Sequence, residues 1–197
     1  MFFKISPPKR ASSSIPAILM LFSLTLLAAY REQPTLAQSE DGSNLLTYTN
    51  TNLGFTFQYP SSWKLYVDDE QTRGFFTLYS ADNVSSVLIH VGPIERNYTG
   101  LSLEQYAIKY TWDIPSFVYG NVKPIEVNTN TYYLSGHRAA RIIETMSSSN
   151  HLKQMSLVLP LNNKQYAVDY IAPTDQFSNY LQQAQAIMDS FQLINKQ

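Results

Sequence analysis

Gly54-Phe55-Thr56-Phe57-Gln58-Tyr59-Pro60-Ser61-Ser62-Trp63 decides how this chain is read. Phe55, Phe57 and Tyr59 alternate with the polar Thr56 and Gln58, so the segment is a strand with three rings on one face. Pro60 has no N–H to give a ladder and ends that strand. Ser61 and Ser62 turn the chain, and Trp63, Leu65 and Val67 begin a second apolar alternation.

Upstream, Leu46–Thr49 is expected as a short strand that Asn50-Thr51-Asn52 turns back onto Phe55–Tyr59. Downstream, Phe75–Tyr79 and Val87–Val91 are strands separated by an Asp82-Asn83 turn. Val87–Val91 is almost continuously apolar, which predicts cover on both faces, and Gly92-Pro93 ends it. Ser102 and Gln105 have capping-box spacing. Leu103, Tyr106, Ala107 and Tyr110 follow on one helical stripe, predicting a helix of about three turns that Pro115 limits.

Val122–Val127 and Thr131–Leu134 are weaker strands around Asn128-Thr129-Asn130. Arg138–Met146 and His151–Leu159 then flank the polar residues 147–150. A loop closed on Met146 and His151 sets Glu144 opposite Lys153, Ile142 opposite Met155 and Ala140 opposite Leu157. The Asn162-Asn163 turn, tolerant of positive φ, sets Leu159 opposite Tyr166, Leu157 opposite Val168 and Met155 opposite Tyr170. Phe177, Tyr180, Leu181, Ala184, Ile187, Met188 and Phe191 make an amphipathic stripe, predicting a terminal helix that ends near Ser190. Antiparallel strands with one internal and one terminal helix describe an α+β layer fold.

The 197 residues suffice for one domain and a short additional segment. Only 15% are charged and the net charge is −1, so nothing draws the whole chain to nucleic acid or to an anionic membrane. The Tyr-rich strands have no accompanying basic patch, and nucleic acid is not an expected partner. The absence of Cys excludes disulfides, thiolate metal sites, a cysteine nucleophile and an N-terminal lipid-modified Cys.

Lys4, Lys9 and Arg10 precede an uncharged run to Tyr30, and Thr35-Leu36-Ala37 places small residues where a signal peptidase reads them. Residues 1–37 are therefore expected to be a secretory signal peptide cut after Ala37, with a retained N-terminal membrane anchor as the alternative. In either form the segment meets the membrane and the domain lies outside the cytoplasm. Residues 38–46 are polar, lack periodicity and read as a linker.

Gly54–Trp63 resembles the opening of the PsbP family, whose domains begin with a Gly-Phe-x-Phe-x-Tyr-Pro-x-x-Trp-like segment. Val87–Pro93, Lys164-Gln165-Tyr166 and Ser190-Phe191 follow in the family's order, so the resemblance covers most of residues 46–194. It implies an α/β/α sandwich in residues 47–195, with a central antiparallel sheet flanked by helices. It also implies a non-catalytic binding or assembly module with a protein or membrane complex as partner. The best-known members are extrinsic lumenal proteins of photosystem II that help retain calcium and chloride, so calcium is a cofactor the resemblance suggests. The basic extension of plant members has no counterpart in residues 38–46, which carry Glu40 and Asp41, and the lipidation Cys of bacterial relatives is absent.

His90 and Glu95 are the candidate metal ligands, at one strand end, but two ligands fall short of a closed site. Asp68-Asp69-Glu70 reads as a solvated turn. Under the register above Arg141, Ser156 and Asp169 share one sheet face, where Arg141 and Asp169 form a cross-strand ion pair and the candidate partner contact. A nucleophilic Ser156 would need a His that the pattern does not bring near, and Gly-x-Ser-x-Gly is absent. Asn83-Val84-Ser85 and Asn97-Tyr98-Thr99 match the N-glycosylation acceptor pattern. The expectation is an exported, non-catalytic protein-binding module. The alternative is a carrier of a small ligand or a metal cation in a pocket between sheet and helix.

Overall fold

The computed structural model describes residues 44–69, 73–119, 122–146 and 151–194. The expected signal segment, its Ala37 cut site and residues 38–43 of the expected linker lie outside the described residues. Among the described residues no helix is long and apolar enough to cross a membrane.

Rings organise the core. Strands β1 (Leu45–Asn50) and β2 (Phe55–Pro60) form the expected hairpin, with Tyr48 opposite Phe57 and Asn50 opposite Phe55. β1 thus begins inside the stretch read as linker. Gly54, at φ +83°, takes the left-handed turn that any other residue would enter under strain. Phe55 and Phe57 are fully buried and meet Tyr48, Phe76 and Phe191 at ring separations of 5.0 to 6.3 Å. β10 (Gln192–Leu193) pairs with the other edge of β2, completing a three-stranded sheet β1-β2-β10.

The larger sheet is antiparallel throughout, in the order β3-β4-β5-β9-β8-β7-β6. Its strands are β3 (Lys64–Asp69), β4 (Gly74–Tyr79), β5 (Ser86–Pro93), β6 (Val122–Leu134), β7 (His137–Met146), β8 (Leu152–Leu161) and β9 (Lys164–Pro173). One face carries Phe76, Leu78, Val87, Ile89, Val91, Val168 and Tyr170 and packs on the small sheet and on helix α2 (Leu181–Asp189). Trp63 is buried at this junction, and its indole N–H donates to Gln183 Oε1 of α2 at 2.7 Å. Helix α1 (Leu103–Tyr119) covers part of the opposite face, through Tyr106, Ala107 and Tyr110 against Ala140, Ile142, Val158 and Ala167. The sandwich therefore has a helix on each side, but the α2 layer is shared with three strands.

Several expectations are corrected. α1 runs past Pro115, which removes one N–H, the one directed at the Thr111 carbonyl, without ending the helix. α2 begins only at Leu181, because residues 174–180 turn instead, with the Phe177 carbonyl accepting from Tyr170 Oη at 2.9 Å. β6 is one strand; Asn128-Thr129-Asn130 is accommodated by a register shift between Asn128 and Tyr132. β5 is interior, but its Leu88 and His90 face stays half-exposed.

The β8–β9 register matches expectation, with Asn162 and Asn163 at φ +51° and +59°. The β7–β8 register does not. Its first pair is Met146 with Leu152, which leaves five residues in the connection. Every pair shifts by one: Glu144 faces Gln154, Ile142 faces Ser156 and Arg141 faces Leu157.

Candidate functional site

Because side chains alternate, one row of cross-strand neighbours crosses the α1 face from edge to interior: Tyr66, Thr77, Leu88, Asp169, Ser156, Ile142. A flanking row reads Lys64, Tyr79, Ser86, Ile171, Gln154, Glu144. α1 packs on β6, β7 and β8, so the rows enter a covered half and leave an open half.

The covered half holds buried polar groups. Asp169 accepts from Tyr110 Oη at 3.2 Å and from Ser156 and Gln154, while Gln154 Nε2 also reaches Ser156 Oγ at 2.8 Å. Burial raises the Asp169 carboxyl to about 6, and these three donors hold it back from rising further. Glu144 is fully buried, and neither carboxylate oxygen has a hydrogen-bond partner. Burial, then the neighbouring Asp169 charge, raises its carboxyl to about 8. Two buried carboxyls that feel one another hold at least one proton at neutral pH.

A second chain of bonds lies nearer the helix start. Tyr106 Oη donates to Gln165 Oε1, and Gln165 Nε2 lies 3.1 Å from His90 Nδ1. With Gln165 Oε1 accepting, its amide N–H donates to Nδ1 and the imidazole proton sits on Nε2, which is buried without a partner. Phe75 stacks on the ring at 4.5 Å and 4°. Burial, then the Arg73 cation, pushes His90 down to about 4, so it is neutral at pH 7.

The open half carries rings. Tyr66 is 58% exposed, Phe75 and Tyr79 each 38%, and Tyr66 meets Tyr79 edge-on at 5.5 Å.

The residues singled out in the sequence are scattered over this frame. His90 is bound to Gln165, whereas Glu95 acts on Tyr106, whose phenol it helps raise. No group of three or more His, Cys, Asp or Glu among the described residues could hold a metal ion. The expected Arg141–Asp169 pair is corrected: the one-residue shift sends Arg141 to the opposite face. There it bonds Glu126 at 2.6 Å and lies 4.1 Å from the Tyr132 ring centroid. Asp169 is buried, so the two make no common contact surface. Ser156 is fully buried and hydrogen-bonded to Asp169 and Gln154. Asp68 and Asp69 belong to β3 rather than to a turn, and Glu70 lies outside the described residues. Asn83, in the turn at φ +58°, and Asn97, in a single 3-10 turn, are both exposed.

Glu144 and the Tyr66–Phe75–Tyr79 face went unnoticed in the sequence. The signal for Glu144 was its period-two spacing from Ile142 and Met146, both buried. The signal for the rings was that Phe75 and Phe76 are adjacent, so one of them leaves the core.

The model of the PsbP-like protein family matches residues 15–193 of the chain. The fold is similar to the solution structure of cyanobacterial PsbP, CyanoP, from Synechocystis sp. PCC 6803. The TM-score is 0.60 at 12% identity, covering 79% of this chain and 95% of that one. LpqN of Mycobacterium tuberculosis, described as involved in cell envelope biogenesis, gives a TM-score of 0.49 at 13% identity, covering 77% of this chain and 91% of that one. No curated protein sequence matches the chain.

Proposed function

The chain belongs to the PsbP-like protein family, and from that premise we propose that it is an exported, non-catalytic protein-binding module. It works at the outer face of a membrane and meets its partner through the open half of the large sheet. The observation that carries this is the exposure of Tyr66, Phe75 and Tyr79 on one sheet face, with Tyr66 against Tyr79 and Phe75 against His90. Single exposed apolar residues are ordinary, but several on one face are typical of contact surfaces, where aromatic residues are enriched. Export is supported by the basic, apolar and small-residue order of residues 1–37. On that reading Asn83 and Asn97 are acceptors for N-glycosylation in a host that performs it.

A photo-crosslinking amino acid placed at Tyr66, at Tyr79 and at Tyr133 of the full chain, in its own cells, tests this. Tyr133 is the control, 60% exposed on β6. One discrete adduct with a different protein at Tyr66 and Tyr79, and none at Tyr133, is the expected result. Equal adducts at all three positions, or no adduct with a different protein at either Tyr66 or Tyr79, refutes the reading.

A further inference from the structure

β3 is one edge of the seven-stranded sheet. Edge strands present a row of unpaired N–H and C=O groups that template pairing with another chain unless bulges, prolines or a covering element blunt them. Among the described residues β3 has none of these protections. It pairs with β4 over six consecutive residues without a register shift, whereas β6 at the other edge has two. Tyr66 and Val67 point to opposite faces and are 58% and 48% exposed, so the centre of β3 is open on both sides. Among the described residues neither Lys64 nor Asp68, which flank this centre, has an ion-pair partner.

We propose that β3 pairs antiparallel with β3 of a second copy of the chain, with Tyr66 on the two-fold axis. An axis that relates two such edges stands perpendicular to the sheet, so each side chain keeps its face. Paired residues must then both be odd-numbered or both even-numbered. With Tyr66 on the axis, Lys64 stands opposite Asp68 of the second copy and Leu65 opposite its Val67, each pair occurring twice by symmetry. Opposite charges thus close both ends of an apolar centre. Within Lys64–Asp69 the neighbouring symmetric registers lose this match. With Leu65 on the axis, Lys64 meets Tyr66 and Asp68 meets Ser62. With Val67 on the axis, Asp68 meets Tyr66 and Leu65 meets Asp69. The paired sheets run on as one, and the Tyr66–Tyr79 surfaces of the two copies become continuous across the axis. This inference does not rest on the reading of a different protein as partner.

Sedimentation equilibrium of the purified full chain over a wide concentration range tests it, using wild type, Lys64→Asp, Asp68→Lys and the double charge swap. Wild type is expected to be a dimer. Each single variant turns both attractive pairs into like-charged ones and raises the dissociation constant on the order of tenfold or more. The double swap restores the pairs in reverse and brings the constant back toward wild type. Melting curves of the exposed single variants and of wild type, taken at concentrations low enough that all are monomers, should coincide, which separates loss of the contact from loss of the fold. A wild type that is monomeric throughout, an association that both single variants retain, or a double swap as weak as its parents overturns the proposal.

Discussion

Raising the pH from 6.5 to 8 should destabilise this protein, and Glu144→Gln should abolish the effect. Glu144 is fully buried, its oxygens have no partner, and Asp169 lies close enough to oppose a second charge. In the fold its carboxyl titrates at about 8, against an ordinary 4.5 in the unfolded chain. Between those values the unfolded state has released a proton that the folded state keeps, so stability falls as pH rises. The contribution is complete below 4.5 and is lost through about 8. Asp169 acts with the same sign, raised from 3.8 to about 6, and its effect is finished above that value. His90 acts with the opposite sign: its folded value is pushed down to about 4 from 6.5, so it costs stability as the pH falls below 6.5.

From 6.5 to 8, therefore, His90 is neutral in the fold while its unfolded imidazole sheds its remaining half proton, which offsets only about 0.4 kcal/mol, and Asp169 is close to fully ionised in both states, so Glu144 supplies most of the change. At about 1.4 kcal/mol per proton per pH unit, and with the folded carboxyl half titrated by pH 8, the net loss across that window is about 1.4 kcal/mol. For a domain of this size that corresponds to a fall of about 3–6 °C in melting temperature. Calorimetric melts at closely spaced pH values measure it. Glu144→Gln keeps the shape of the protonated side chain and cannot ionise, so its melting temperature should stay flat and exceed that of wild type at pH 8. A wild-type melting temperature that does not fall, or a variant that falls in parallel with it, would refute the reasoning.

Gly74→Ala should lower stability by about 1–3 kcal/mol in urea denaturation, because the added Cβ would lie 2.6 Å from the Phe76 ring and 2.8 Å from Leu53. Glu126→Gln removes a partly exposed ion pair with Arg141 and should cost only about 0.2–1 kcal/mol in the same assay. At Asn163, with φ +59°, Gly should leave the denaturation midpoint nearly unchanged while Val loses about 1–2 kcal/mol, since a β-branched residue resists the left-handed turn.

What was legible in the sequence is what local chemistry dictates. The Phe55–Tyr59 alternation predicts the buried face of β2, and the Asn162-Asn163 turn predicts the β8–β9 register, because a two-residue turn admits few pairings. Helix ends were harder. Pro115 weakens a helix without having to end it, and the apolar stripe from Phe177 continues through turns before α2 begins. The open aromatic face was invisible for another reason. Alternation shows that Phe75 and Phe76 face opposite ways, but where α1 sits on the sheet decides which side stays uncovered.

The β7–β8 slip came from a cue that fails under burial. β8 and β9 are buried on both faces along most of their length, so apolar alternation cannot tell an odd shift from an even one. The remaining cue was charge, and it favoured Glu144 opposite Lys153. That cue presumes an ionised Glu144. Inside the fold the carboxyl is largely protonated at neutral pH, and Lys153 instead lies 4.6 Å from the Phe177 ring. A register chosen by charge complementarity is therefore only as sound as the assumption that both groups stay in water. That assumption fails at Glu144 and holds at Lys64 and Asp68, which are exposed on β3. The same kind of argument thus misplaces Arg141 by one residue and still bears weight at the sheet edge.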